Sequence, residues 1–245
     1  MVARSCIAAR DEDNSAGDVG GPPAVLQDFL TLEKPGMSSS LLVLGTHNRK
    51  KRAELWDLLA PLGLGLELAI LDDFPTAIEV EEDGDTFAAN ACKKAAEQAA
   101  HLGRWVLAED SGLCVDALKG KPGVYSARFS GPDATDEGNN RLLLERLGGL
   151  PLEKRSADYV CYAALADPAG NIRSESQGEC HGRILSEGRG SGGFGYDPLF
   201  EIPEYHLTFA QLGGMVKQFL SHRGRAMRGM IPQLQRLVRG GEWGD

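Results

Sequence analysis

No Cys-x-x-Cys pair and no His-Glu-x-x-His spacing occurs anywhere in the 245 residues, which removes the common thiolate and imidazole zinc signatures. The five cysteines (Cys6, Cys92, Cys114, Cys161, Cys180) are odd in number and scattered, so no disulfide framework is suggested, and reduced, mostly buried thiols are expected. Long apolar runs are also missing. No stretch approaches the span of a bilayer, and Asp11, Glu12 and Asp13 interrupt any basic-then-apolar leader. Basic charge is in deficit, with 26 Lys and Arg against 35 Asp and Glu, for a net charge of -9. An anionic surface repels nucleic acid polymers and anionic membranes alike, so neither is an expected partner. With 42% hydrophobic residues the chain can bury a sizeable core, and a cytoplasmic globular protein is the expectation.

Residues 1–38 are rich in Gly, Ala, Pro and acidic residues without a sustained period, and read as a mobile tail. A short helical piece around Ala24 to Leu32 fits the same stretch, and Met37 offers a second possible start. The folded domain is expected over residues 39–245.

Its centre is Leu107-Ala108-Glu109-Asp110-Ser111-Gly112-Leu113. Apolar residues Trp105 to Leu107 run into adjacent carboxylates, as a buried strand does when it ends at a reacting centre. Two neighbouring carboxylates repel, so a divalent cation, a lysine or both are expected beside them. Taken alone, the stretch equally describes a surface turn with local Asp and Ser hydrogen bonds.

Upstream, the apolar run Leu41 to Gly45 reads as a strand, Thr46 to Lys51 as a polar turn, and Leu55, Leu58, Leu59 and Leu62 as a helix. A strand, a turn with Thr46 and Asn48, and a basic first helical turn with Lys51 together make an anion site; a plain helix cap is the alternative. A second strand spans Leu66 to Leu71. The acidic run Glu79 to Asp85, containing Glu82, leads into an alanine-rich helix from Thr86 that ends near Gly103. Asn90 and Lys94 are one turn apart on it, so both could face whatever Glu82 and Asp110 hold, although an exposed lysine is the plainer reading.

Downstream, Leu113 to Leu118 reads as a strand, Val124 to Gly131 as a loop, and Leu142, Leu143 and Leu147 as a helix closed by Gly148-Gly149. Val160 to Ala166 and Ile172 to Cys180 form a hairpin. The segment Gly188 to Pro198 interleaves five glycines with Phe194 and Tyr196. Such glycines allow close approach to a ligand and the aromatics offer a stacking face; a flexible hairpin tip is the rival. Thr208 to Leu212 carries a capping-box pattern, and Ser221 is expected to cap a last helix with His222 and Arg223 in its first turn and a kink at Pro232.

Six blocks in this order resemble the inosine/xanthosine triphosphate pyrophosphatase family: Thr46-x-Asn48-x-x-Lys51; Glu82 and Gly84 with Thr86-Phe87 and Asn90-Ala91-x-x-Lys94-Ala95; Asp110 to Leu113; Pro122 to Arg128; Phe194 to Pro198; and Ser221-His222-Arg223. The resemblance covers about residues 40–240. It implies an α/β fold with an elongated mixed β-sheet flanked by helices and two lobes around a central cleft, a homodimer, and Mg²⁺-dependent cleavage of aberrant purine nucleoside triphosphates to monophosphate and pyrophosphate. Carried over, Thr46, Asn48 and Lys51 would hold phosphates. Glu82 and Asp110 would hold the metal, Asp110 would also orient or deprotonate the attacking water, and Lys94 would neutralise phosphate charge. Ser111, Phe194, Gly195, Tyr196, Asp197, Lys217, His222 and Arg223 would line the nucleotide site. His47, Ala89, Glu109 and Gln211 depart from the family's usual residues, and Ala89 removes the reciprocal half of the Thr86 capping box. A pyrophosphatase preferring modified pyrimidines and a nucleotide-binding regulator without turnover are the competing readings.

Overall fold

The structure, a computed structural model, describes residues 40–63 and 65–243. The expectations for residues 1–38, including the helix near Ala24 and the status of Met37, lie outside them. Residues Ser38–Asp245 form one compact unit. A seven-stranded sheet runs through it in the order β2-β1-β3-β4-β5-β6-β7. Its strands are β1 Leu41–Leu44, β2 Glu67–Ile70, β3 Trp105–Val115, β4 Ser156–Ala166, β5 Ile172–Ile184, β6 Phe200–Ile202 and β7 Leu207–Thr208. β1 pairs in parallel with β2 and β3, and every later pairing is antiparallel. The sheet is therefore mixed and flanked by helices, as expected: α1 Arg49–Leu59, α2 Phe87–Leu102, α3 Asp136–Leu147, α4 Gly214–Leu220 and α5 His222–Arg239.

Alternation along the strands sorts the core. Leu42, Leu44, Trp105 and Leu107 point to the face covered by α1 and α5, where they pack with Leu55, Leu59, Met227 and Met230. Val43, Val106 and Ala108 point to the opposite face and meet Ala91, Ala95 and Ala99 of α2. Alanines let that helix lie close on the sheet. A third cluster occupies the far half of the long strands, where Leu113, Val115 and Tyr159 pack with Leu143 of α3 and with Phe200 and Phe209.

Several expectations need correction. The strand through Trp105 does not end at Glu109 and Asp110, nor is Leu113 to Leu118 a separate strand; β3 is continuous to Val115, with a 3-10 turn following over Asp116–Leu118. The reason is β4, which pairs with β3 from Val106 to Val115 and keeps the ladder intact past the carboxylates. What ends is the neighbour on the other side, since β1 pairs only as far as Leu44 opposite Leu107. The Thr208 to Gln211 pattern is also no helix start. Gln211 Oε1 accepts from Thr208 N at 3.1 Å, but the segment is a turn, and α4 begins only at Gly214, with Gly213 as its N-cap. The loop from Val124 is wound into a 3-10 helix over Gly123–Arg128, and α5 is assigned without a break through Pro232.

Candidate active site

β1 leads through α1 to β2 on one side, and β2 returns through α2 to β3 on the other. The two helices lie on opposite faces, so the carboxyl ends of β1 and β3 diverge and leave a crevice, the place where open parallel sheets bind ligands. A cavity of about 470 Å³ opens there, lined by Thr46, Asn48, Lys51, Glu82, Lys94, Asp110, Ser111, Phe194, Gly195, Tyr196, Asp197, Lys217, His222 and Arg223, while Asn90 and Glu109 are not part of its lining. β3 passes through it with Asp110 on the α2 face and Glu109 and Ser111 on the α1 and α5 face, because successive strand residues alternate.

On the α1 side the turn is built by its own polar groups. Asn48 caps the helix, its Oδ1 accepting from Lys50 N at 3.0 Å and Lys51 N at 3.1 Å, while Thr46 Oγ1 accepts from Asn48 N at 3.2 Å. The turn is thereby held open toward the cavity with Lys51 at its edge. Lys50 pairs with Asp136, 3.0 Å distant, on the cavity's rim.

On the α2 face Asn90 donates to Asp110 Oδ2 at 3.0 Å and accepts from Gly84 N at 2.8 Å, tying the acidic loop to the strand. One turn on, Lys94 Nζ lies 3.0 Å from Glu82 Oε1. Burial raises the Asp110 carboxyl above its ordinary range despite the counter-pull of Lys94 and Lys51. A raised carboxyl in a cleft is suited to exchanging a proton. Among the described residues no three His, Cys, Asp or Glu side chains converge as a ready-made metal cage. Glu82 and Asp110 supply oxygen donors only, which fits a hard divalent cation.

On the other face the charges interlock. Glu109, 1% exposed, lies 3.1 Å from Lys51 Nζ and 3.4 Å from Arg223 Nη2. Burial alone would raise its carboxyl, yet Arg223 and Lys51 hold it well below the usual carboxylate range. Glu109 is therefore a counter-ion rather than a second acid. Arg223 also donates to Ser111 Oγ at 2.9 Å and to Glu54. Lys217 Nζ reaches Glu54 Oε1 at 2.8 Å and Asp197 Oδ2 at 2.7 Å. Glu54 is the residue that sequence reading missed. The available signal was its place three residues beyond Lys51, on the helix face that also carries Leu55 and Leu58.

The Gly188 to Pro198 segment is specific in shape. Gly193 has φ +73°, and a Cβ there would sit 1.9 Å from Asp197 Oδ2, which instead accepts from Phe194 N at 2.8 Å. Asp197 thus clamps its own loop and Lys217. Tyr196 is buried, with its hydroxyl donating to Ser126 O at 2.8 Å. Of the two aromatics, Phe194 is the one left half-buried at the cavity, ringed by Lys217 at 4.9 Å, Lys50 at 5.5 Å and Arg223 at 5.9 Å. His222 stacks on Tyr159 with ring centroids 4.6 Å apart, and its Nδ1 has no hydrogen-bond partner among the described residues.

Fold and cleft together define an α/β protein with a cleft lined by Lys51, Lys94, Lys217 and Arg223 at the divergence of two parallel strands. The chain belongs to the Ham1 family, whose sequence profile matches residues 42–233. It is 57% identical over 197 residues to the dITP/XTP pyrophosphatase of Rhodopirellula baltica, covering 80% of this chain and 94% of that one. To the dITP/XTP pyrophosphatase of Desulforamulus reducens it is 50% identical over 196 residues, covering 80% and 96%. The structure of a HAM1 protein from Coxiella burnetii superimposes with a TM-score of 0.71 at 36% identity, over 82% of this chain and 98% of that one.

Proposed function

We propose that the chain hydrolyses non-standard purine nucleoside triphosphates, those of inosine, deoxyinosine and xanthosine, to the monophosphate and pyrophosphate, and so keeps them out of DNA and RNA. One observation carries this reading: Asp110, fixed by Asn90, lies in one cavity with the Lys94 and Glu82 pair and the α1 turn. The names of its relatives point the same way.

Water attacks the α-phosphorus, the α–β anhydride bond breaks, and pyrophosphate leaves. Asp110 orients that water and takes its proton. Lys94, Lys51 and Thr46 meet the charge that develops on the phosphate oxygens, so no covalent nucleophile is required. Glu82 and Asp110 would hold Mg²⁺, which supplies Lewis-acid neutralisation of the phosphates when bound. At the other end Phe194 offers a face to the base. Lys217 keeps one N–H beyond its two carboxylate partners, and the free His222 Nδ1 can bond the 6-oxo edge. A base carrying a 6-amino group mismatches donors placed for an oxygen. A homodimer and a cytoplasmic location complete the reading, the first by family resemblance. Among the described residues no helix is long and apolar enough to cross a membrane.

The test is pyrophosphate release from a panel of inosine, xanthosine, adenosine, guanosine and methylated-pyrimidine triphosphates with Mg²⁺. Inosine and xanthosine triphosphates should turn over fastest, and Asp110→Asn should lower kcat by about 10³-fold or more while the protein still folds. A preference for the pyrimidines, or near-full activity of Asp110→Asn, would overturn it.

A further inference from the structure

Gln98 is a buried amide that nothing among the described residues satisfies. It is 2% exposed, and neither Oε1 nor Nε2 has a hydrogen-bond partner among the described residues. A buried amide without partners costs about 1–3 kcal/mol, so a chain that places one against a cavity leaves it for something that enters the cavity. Gln98 lines that cavity. Four residues beyond Lys94 on α2, it shares the face of the helix that carries Asn90 and Lys94.

Its position along the cleft follows from topology. α2 runs opposite to β3, so Asn90 sits beside Asp110, and each later turn of the helix retreats along β3 toward Val106. At that level β1 ends: Gly45 N donates to Leu107 O at 2.8 Å, and a Cβ on Gly45 would lie 2.8 Å from Val106 Cγ1. Gln98 therefore faces the part of the cavity next to Gly45 and Thr46, on the far side of Lys94 from Asp110 and Ser111. If the bond to be broken lies at Asp110 and Lys94 and the base lies toward Phe194, a chain of phosphates extends past Lys94 in this direction.

Building on the function proposed above, we propose that Gln98 is a further substrate-binding residue, its amide N–H donating to an oxygen of the pyrophosphate half of the triphosphate. The choice of a neutral donor has a physical sense. Lys94 and Lys51 already oppose the phosphates with full charges, and a third cation would hold pyrophosphate after cleavage, whereas an amide adds direction at little cost to release. A carboxylate in place of the amide would repel the anion.

The test compares wild type with Gln98→Leu and Gln98→Met, two variants that keep bulk and lose the donor, and Gln98→Glu, which adds charge. Calorimetric titration uses inorganic pyrophosphate and, separately, inosine monophosphate. Pyrophosphate should bind Gln98→Leu and Gln98→Met about tenfold more weakly, and Gln98→Glu more weakly again, with inosine monophosphate unchanged. KM for inosine triphosphate should rise by a similar factor with kcat nearly constant, and Tm should stay level or rise, because an unsatisfied amide has been removed. Pyrophosphate affinity within twofold of wild type in a folded Leu or Met variant would overturn the proposal, as would equal weakening of the monophosphate. The substrate panel on wild type judges the catalytic reading separately: pyrophosphate binding without turnover would sink that reading and leave the Gln98 comparison standing.

Discussion

Arg223, in the first turn of the last helix, places its Nη2 3.4 Å from Glu109 Oε1 and 2.9 Å from Ser111 Oγ, both on the central strand. Lys51 reaches the same Glu109 from α1 at 3.1 Å. Three elements distant in sequence thus meet on one buried carboxylate. Glu109→Gln keeps the shape and removes the charge, leaving Arg223 and Lys51 under-compensated. Breaking a buried pair in this way costs about 3–5 kcal/mol, and the retained amide should hold the loss to the lower end. The linkage sign is that of a depressed carboxyl. Glu109 contributes stability that is complete above the unfolded carboxylate range, near pH 4.5, and is lost as pH falls through its lower folded value. Urea unfolding should therefore show the variant weakened at pH 7, with the gap to wild type narrowing as pH drops below about 4.5. A variant as stable as wild type at pH 7 would show that the cluster contributes nothing net.

Glu54 bonds both Lys217 and Arg223, so it aims two cations without itself being placed against phosphate. Glu54→Gln should erode the preference for inosine over adenosine triphosphate and raise KM by about tenfold, with kcat changed less, since the groups at the scissile phosphate are untouched. Steady-state kinetics on the two substrates decides it. An unchanged preference would make Glu54 merely a structural counter-ion. The same reasoning alters what Arg223→Ala can report: it strands Glu54 and Glu109, so lost stability would mask any change in base selection.

How much of this was visible in the chain depends on the range over which each signal acts. Thr86 and Ser221 were legible as helix caps because a cap is a contact within three residues, and each accepts from the amide three residues on; Asn48 or Thr46 was open as the cap of α1, and Asn48 takes that place. Leu41 to Leu44 and Trp105 to Leu107 were legible as buried strands from their apolar runs, whereas which face each residue takes comes from the packing. The continuity of β3 was not legible, because Glu109 and Asp110 look like an ending until β4 is known to pair alongside them. The Thr208 box failed for the complementary reason: its local bond forms, but no apolar period follows to sustain a helix. The site residues other than Lys217 came from six short blocks, whereas Glu54, an acid on an otherwise ordinary amphipathic helix, acquires meaning only when Lys217 and Arg223 arrive from the far end of the chain.

Thr86 tests whether the departure at Ala89 matters. Its Oγ1 accepts from Ala89 N at 3.1 Å, but Ala89 cannot return a bond, so the cap rests on one interaction. Thr86→Ala should cost about 1 kcal/mol, and Ala89→Glu should recover some tenths of a kcal/mol by closing the box, less any repulsion from the acidic loop before it. Thermal melts of the two variants and their combination are enough. If Ala89→Glu stabilises equally with and without Thr86, the gain is not a capping box.

His222 carries the last prediction. It is fully buried against Tyr159 beside Arg223, and burial first, then that guanidinium, push its imidazole well below the ordinary value of 6.5. The folded protein therefore keeps it neutral where the unfolded chain protonates it. For such a group stability is complete above pH 6.5 and falls as pH drops below it, by up to about 1.4 kcal/mol per pH unit until the folded value is reached. His222→Asn removes the titration, so although the lost stacking lowers stability at pH 7.5, its decline between pH 6.5 and 5.5 should be shallower than that of wild type by up to that slope. Urea midpoints at pH 7.5, 6.5 and 5.5 measure the difference directly. Parallel declines would mean that the imidazole gains its proton in the folded state at the ordinary pH.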